Sequence, residues 1–273
     1  MPAIQAEQVP AVPPGRSGGR AKLAKMLRMG LGEVRAGDFS RLGIYYRRCV
    51  RPGRLRRVVR SYRRRFRMTL RAWLDYHQSD VVFEGCSWMG VPVWKNPLDA
   101  WIYQEIVHEV RPDVIVELGS AAGGSALYLA HLLELLGHGT VVSVDVDRST
   151  FVAEHERLVT VTGPSSAPET VARVAELCRG KRALVIHDAD HTKEQVLVDL
   201  RCYAPFVGVG SYLIVEDGIV DLFRPWERLG VTYEGPLGAT EEFLRTTDEF
   251  EVDSGRERYV LTANPRGFLR RAR

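Results

Sequence analysis

The feature that most constrains this chain is a repeated alternation beginning at Asp99, in which short β-branched runs are separated by stretches of helical period. Parallel strands cannot be joined by tight hairpins and need a crossover of a dozen or more residues, usually a helix, so this alternation dictates a parallel sheet covered on both faces. The pattern predicts helices over 99–110, 123–136, 149–157, 167–179 and 192–203, and strands over 113–117, 140–145, 158–162, 183–187 and 211–216. The end of the chain differs. Phe250 to Val252 and Arg258 to Ala263 flank Asp253-Ser254-Gly255, which reads as an antiparallel hairpin.

The run Val114-Ile115-Val116-Glu117-Leu118-Gly119-Ser120-Ala121-Ala122-Gly123-Gly124-Ser125-Ala126 is a buried strand entering a glycine-rich turn that opens a helix. Glycine permits positive φ and lets backbone amides approach a ligand. The spacing is not G-x-G-x-x-G and there is no Lys-Ser/Thr ending, so a pyrophosphate ligand is disfavoured. Glu117 at the strand end would repel phosphates, but it suits a cationic ligand such as the sulfonium amino acid of S-adenosylmethionine. The next strand, Val141 to Asp145, ends in a carboxylate suited to ribose hydroxyls. These features predict a doubly wound, methyltransferase-type (Rossmann-like) α/β sheet, parallel with a C-terminal antiparallel hairpin and preceded by N-terminal helices. The expected cofactor contacts are Glu117, Gly119, Ser120, Gly123, Gly124, Ser125, Asp145 and Asp188.

The fourth strand delivers His187-Asp188-Ala189-Asp190-His191 and the fifth Val215-Glu216-Asp217, both at the carboxyl edge of the sheet beside the ligand crevice. Carboxylates gathered there suit a hard cation such as Mg²⁺, which would lower the pKa of an acceptor hydroxyl and align it with the methyl group. The competing reading is that acidic residues at strand ends cap the following helices, as Asp190 could do before Thr192. His191, three residues beyond Asp188, is a candidate for taking the hydroxyl proton, histidine being the side chain that exchanges protons near neutrality. A packing role is the alternative.

Charge is divided along the chain. Residues 1–75 carry a formal charge of +15 and the remainder −11. Residues 1–20 are rich in Pro, Gly and Ala and predict a flexible tail. Residues 21–84 predict a basic helical region, with ten arginines between Arg51 and Arg71. That run could meet phosphates, yet no nucleic-acid module accompanies it, so a solvated helix face or a subunit contact in a homo-oligomer is preferred. No apolar run approaches the roughly 20 residues that span a bilayer, and a polar N-terminus lacks the core of a secretory signal. A cytoplasmic protein is expected. Cys49, Cys86, Cys178 and Cys202 lie far apart and read as reduced thiols.

Residues 85 to 270 resemble the cephalosporin hydroxylase family, metal-dependent methyltransferase-fold proteins that include macrolide-sugar and rhamnosyl O-methyltransferases. The resemblance is carried by Trp88-Met89-Gly90-Val91-Pro92, Lys95 to Asp99, Tyr103-Gln104-Glu105, Glu117 to Ala126, Asp188 to Thr192, Glu216-Asp217, Leu261 to Pro265 and Gly267 to Leu269. It implies that residues 85–273 form an S-adenosylmethionine-dependent methyltransferase domain. It also implies that Asp188, Glu216 and Asp217 bind the metal, that Asp188 and His191 are catalytic, and that the acceptor is a small-molecule hydroxyl, with a sugar of a secondary metabolite leading. The family often has Asn where this chain has Asp190, which leaves open whether Asp188 or Asp190 is the first metal ligand. Acceptor specificity is expected before Asp99 and in Ile219 to Leu237, where Arg224, Pro225 and Trp226 follow the metal strand. Two rivals stand beside this reading. Hydroxylation or methoxylation of a β-lactam nucleus is opposed by the lack of a 2-His-1-carboxylate triad in the sequence, and a non-catalytic partner-binding module by the intact carboxylates.

Overall fold

The computed structural model describes residues 62–222 and 234–273. The 1–20 tail, Cys49 and half of the ten arginines between Arg51 and Arg71 lie outside them, as do Arg224, Pro225 and Trp226. The described part of the basic region is helical, Tyr62–Arg65 and then Leu70–Tyr76, the second capped by Thr69 and continued by a π-helical turn at His77–Val82. Among the described residues, Cys86, Cys178 and Cys202 are free thiols and no helix is long and apolar enough to cross a membrane.

Among the described residues the sheet has seven strands: β1 (Val114–Leu118), β2 (Thr140–Asp145), β3 (Leu158–Thr162), β4 (Ala183–His187), β5 (Tyr212–Val215), β6 (Phe250–Val252) and β7 (Phe268–Arg271), in the order β3-β2-β1-β4-β5-β7-β6. The first five run parallel, and β7 pairs antiparallel with both β5 and β6. Strand order reverses between β1 and β4, and an open α/β sheet places its ligand crevice at such a switch point. Side chains on β1 alternate between faces. Val114, Val116 and Leu118 join the core under α3 (Pro168–Cys178), α4 (Lys193–Tyr203) and α5 (Pro236–Thr246). Ile115 joins the core under α1 (Pro97–Val110) and α2 (Gly124–Leu136).

Two expected elements are absent. The segment expected as helix 149–157 is a turn followed by irregular chain. Asp147 starts it with an Asx turn, its carboxylate accepting from Ser149 N at 2.8 Å, and Val152 N then donates to Ala122 O at 3.1 Å. This lays Phe151 and Ala153 against the glycine turn, where a Cβ on Gly123 would stand 2.6 Å from Ala153 Cβ and 2.7 Å from the Phe151 ring. Docking on the loop thus overrides local helical period. The second correction concerns Arg258 to Ala263, which forms no strand; the strand after β6 is Phe268–Arg271. Residues 262–264 are instead bonded to other parts of the chain. Ala263 N donates to Asp99 Oδ2 at 2.7 Å, and Ala263 O accepts from Ile219 N at 3.0 Å.

This placement predicts opposite outcomes for two large-to-small changes. Phe268 is fully buried and Val260 is 80% exposed. Phe268→Ala should cost about 3–5 kcal/mol, whereas Val260→Ala should stay within about 0.5 kcal/mol. Urea unfolding of both variants measures this, and equal costs would refute the strand assignment.

Candidate functional site at the sheet switch point

The turn after β1 is built by close backbone approach. Gly119 has φ +81°, and a Cβ there would stand 1.9 Å from the Asp188 carbonyl oxygen. Asp188 N donates to Leu118 O at 2.8 Å, so β1 and β4 deliver their first loop residues side by side. A Cβ on Gly124 would meet the Pro92 carbonyl at 2.2 Å, which fixes the chain preceding α1 against the start of α2. Asp145, expected as a ribose acceptor, clamps the turn: Oδ2 accepts from Ser120 N at 2.8 Å and Ala121 N at 3.0 Å, and Oδ1 from Asp147 N at 3.1 Å. A carboxylate has about four lone-pair sites, so capacity for a ligand hydroxyl remains. Arg148, which sequence reasoning did not single out, donates to the Ser120 and Ser143 hydroxyls and to the Ser143 and Val161 carbonyls, and it lies over the Phe151 ring.

Beneath this turn is a buried charge cluster. Lys95 Nζ lies 2.5 Å from Glu216 Oε1, 2.6 Å from Asp188 Oδ2 and 3.7 Å from Glu117 Oε1. Burial alone would lower the lysine pKa, but the three carboxylates outweigh it and hold the ammonium charged. Burial pushes Glu117 up to about 7 against the opposing charge of Lys95 and the nearby Ser125 hydroxyl, and it raises Glu216 well above the carboxylate range. Among the described residues, neither Glu117 oxygen has a hydrogen-bond partner of ordinary geometry. Buried polar atoms are nearly always paired, so an orphaned carboxylate at a switch point fits a cationic or hydrogen-bond-donating ligand.

Sharing Asp188 with that cluster, three expected residues converge. One ligand atom each from Asp188, His191 and Asp217 lies within 4.8 Å of the others, all three being half-buried. His191 Nε2 is 3.0 Å from Asp217 Oδ2 and 3.8 Å from Asp188 Oδ1. Two carboxylates and an imidazole are a donor set that fits a divalent cation. Glu216 faces the other way, onto Lys95. Asp190 is occupied in an Asx turn just before α4, its Oδ1 accepting from both Thr192 N and Thr192 Oγ1, and it does not cap the helix, whose N-cap is Thr192. His187 pairs with buried Asp199 at 3.0 Å on the opposite side of the strand end. Asp217 takes a left-handed φ of 57°, with its amide donating to Asn264 Oδ1 and the Asn264 amide group donating to Tyr103 OH. The tail and α1 therefore support the site, a link that spacing could not reveal.

A second constellation appears where the sequence showed no 2-His-1-carboxylate set. His131, Glu134 and His155 come together beside the loop that lies on Gly123. His131 Nδ1 accepts from Trp88 Nε1 at 2.8 Å and His155 Nδ1 accepts from Arg157 N at 3.1 Å. Both ring protons are thereby placed on Nε2, and His155 Nε2 donates to Glu134 Oε2. The two imidazoles are thus tied to neighbouring groups, and the cluster packs α2 against the loop.

The parallel sheet with its antiparallel end, the glycine turn and the acidic strand ends define a methyltransferase-type domain. The family described as rhamnosyl O-methyltransferase/CmcI matches residues 80–272. A rhamnosyl O-methyltransferase of Mycobacterium leprae is 33% identical over 206 residues, covering 71% of this chain and 88% of that protein. One of Mycobacterium bovis is 30% identical over 207 residues, covering 71% and 83%. Two solved structures of CmcI, one described as Mg- and SAM-bound and one as an apo-structure, each align with a TM-score of 0.55. They are 22% and 23% identical and cover 75% and 76% of this chain and 84% and 85% of theirs. This chain belongs to the rhamnosyl O-methyltransferase/CmcI family and is an O-methyltransferase.

Glu117 yields a pH prediction. Its raised pKa means that the folded protein keeps a proton there which the unfolded chain loses, so its contribution to stability falls as pH rises from the ordinary carboxylate range to about 7. Affinity for a cation should move in the opposite direction. Titration calorimetry with adenosylmethionine should show binding strengthening on the order of tenfold between pH 6 and pH 8, and Glu117→Gln should flatten that dependence. A flat wild-type profile would show that Glu117 is already ionised or does not meet the cofactor.

Proposed function

We propose that this enzyme transfers a methyl group from S-adenosylmethionine to a hydroxyl of a small molecule, in a reaction that requires a divalent cation such as Mg²⁺, and that the acceptor is a sugar hydroxyl of a secondary metabolite. The observation that carries the reading is the placement, at one switch point, of the orphaned Glu117 carboxylate and of the Asp188 and Asp217 carboxylates with His191 beside them. The relatives' name, rhamnosyl O-methyltransferase, supports the choice of a sugar.

The cofactor supplies the electrophilic methyl group and the cation supplies Lewis acidity at the acceptor oxygen. Glu117 binds the cationic end of the cofactor and the Asp145 carboxylate meets its ribose, while the backbone of Gly119, Ser120, Gly123, Gly124 and Ser125 forms the turn beside it. Asp188 and Asp217 would hold the cation, joined by Glu216 once it leaves Lys95. His191 takes the acceptor proton, and the Asp217 carboxylate beside it stabilises the charged ring. Asp217 and His191 already lie against each other, so their own positioning requires little rearrangement. The same reading includes a cytoplasmic homo-oligomer with no nucleic-acid partner, which sedimentation and fractionation would check.

Stripping divalent ions with EDTA should abolish methyl transfer, and Mg²⁺ should restore it. Asp217→Ala should abolish turnover with cofactor affinity largely intact. His191→Ala should lose about 10² to 10⁴ in kcat while still binding Mn²⁺ as wild type does. Turnover in metal-free protein would refute the metal requirement, and loss of Mn²⁺ affinity in His191→Ala would make the imidazole a ligand rather than the base.

A further inference from the structure

The buried ammonium of Lys95 touches two of the three carboxylates expected to bind metal. Its contacts at 2.5 Å with Glu216 Oε1 and 2.6 Å with Asp188 Oδ2 are charge-assisted hydrogen bonds, and the side chain is only 6% exposed. The backbone carrying it has little freedom. Asn96 caps α1, its Oδ1 accepting from Leu98 N and its Nδ2 donating to Asp99 Oδ2, which is itself bonded to Ala263 N. Pro92, three residues earlier, lies against Gly124. The ammonium is thus delivered to a fixed point between β4 and β5, and Glu216 turns toward it and away from Asp217 and His191.

We infer that Lys95 is a built-in competitor of the divalent cation: a positioning residue that holds Asp188 and Glu216 together in the metal-free enzyme and lowers the affinity with which they take up metal. The inference rests on the reading of Asp188 and Glu216 as metal ligands. A divalent ion drawing on both must share or displace the lysine contacts, and a positive charge a few ångströms away opposes its entry in a poorly screened interior. The lysine also prevents three buried carboxylates from repelling one another when no metal is bound, so removing it has two opposed effects. Metal-free protein loses stability, and metal binding tightens.

Mn²⁺ binding to the full chain, followed by calorimetry and by the electron paramagnetic resonance of the free ion, tests this in wild type, Lys95→Met and Lys95→Arg. Lys95→Met should bind Mn²⁺ at least about tenfold more tightly, a difference of about 1.4 kcal/mol, while Lys95→Arg, which retains the charge, should stay close to wild type. Thermal unfolding should show metal-free Lys95→Met melting below wild type, with a larger upward shift on adding Mn²⁺. If Lys95→Met folds only with Mn²⁺ present, chelator competition on the loaded protein reads the same affinity. Wild-type Mn²⁺ binding that Lys95→Met leaves unchanged or weakens would overturn the inference alone. Absence of Mn²⁺ binding in wild type would overturn the metal reading and the inference with it.

Discussion

Carboxylates buried within a few ångströms of one another cannot all stay ionised without a cation among them, and this constraint organises the carboxyl edge of the sheet. Glu117 and Glu216 sit at the ends of strands packed on both faces and are almost inaccessible to water. Their burial raises both pKa values, and the charge that opposes the rise comes from Lys95. An isolated buried ion pair is weak support for a fold, but removing one partner of such a pair leaves an unpaired charge in a dry place. Lys95 can serve three carboxylates only if the chain before α1 crosses the sheet edge closely. That crossing is why Gly124 must lack a side chain and why Asp99 reaches the tail at Ala263.

Much of the architecture was legible because strands buried on both faces must be continuously apolar. Ala183 to Ile186 and Tyr212 to Val215 satisfy that requirement, Val141 to Val144 does so apart from Ser143, and their strands fall on or within a residue of the expected bounds. The expected misses have physical causes. Residues 149–157 have helical spacing, but the open surface of the glycine turn offers Phe151 and Ala153 a better burial than a nine-residue helix would. Residues 258–263 contain β-branched residues, yet Ala263 at their end is drawn to the site, its amide donating to buried Asp99 and its carbonyl accepting from Ile219 N. Periodicity registers neither kind of competition, because both depend on a partner distant in sequence.

The candidate site shows the same division. Glu117, Asp145, Asp188, His191, Glu216 and Asp217 were readable from their positions at strand ends, and the structure brings all six to one edge. Lys95 and Arg148 were not readable as site residues. A lysine ahead of an Asn-Pro helix start looks like a solvated side chain, and an arginine after an acidic strand end looks like a surface charge. Each is instead drawn inward by buried acceptors, Lys95 by carboxylates and Arg148 by two hydroxyls and two carbonyls. A basic residue inside a block that otherwise carries family resemblance was the available signal for Lys95.

The carboxylates also differ in how they are held, and the difference separates support from chemistry. Glu117 and Glu216 project from strands and have few conformations open to them. Asp188 and Asp217 begin loops, are half-buried, and meet His191 on the open side of the cluster. Asp217 pays for this position with a left-handed backbone, a conformation that costs a non-glycine residue energy unless its surroundings over-determine it. Asn264 supplies that constraint by accepting the Asp217 amide while its own amide group is fixed by Tyr103 on α1. The orientation of Asp217, and through it the 3.0 Å contact to His191, is therefore set by residues from the first helix of the domain and from its last turn. Neither Tyr103 nor Asn264 needs to touch a ligand for its loss to disturb the alignment of the imidazole.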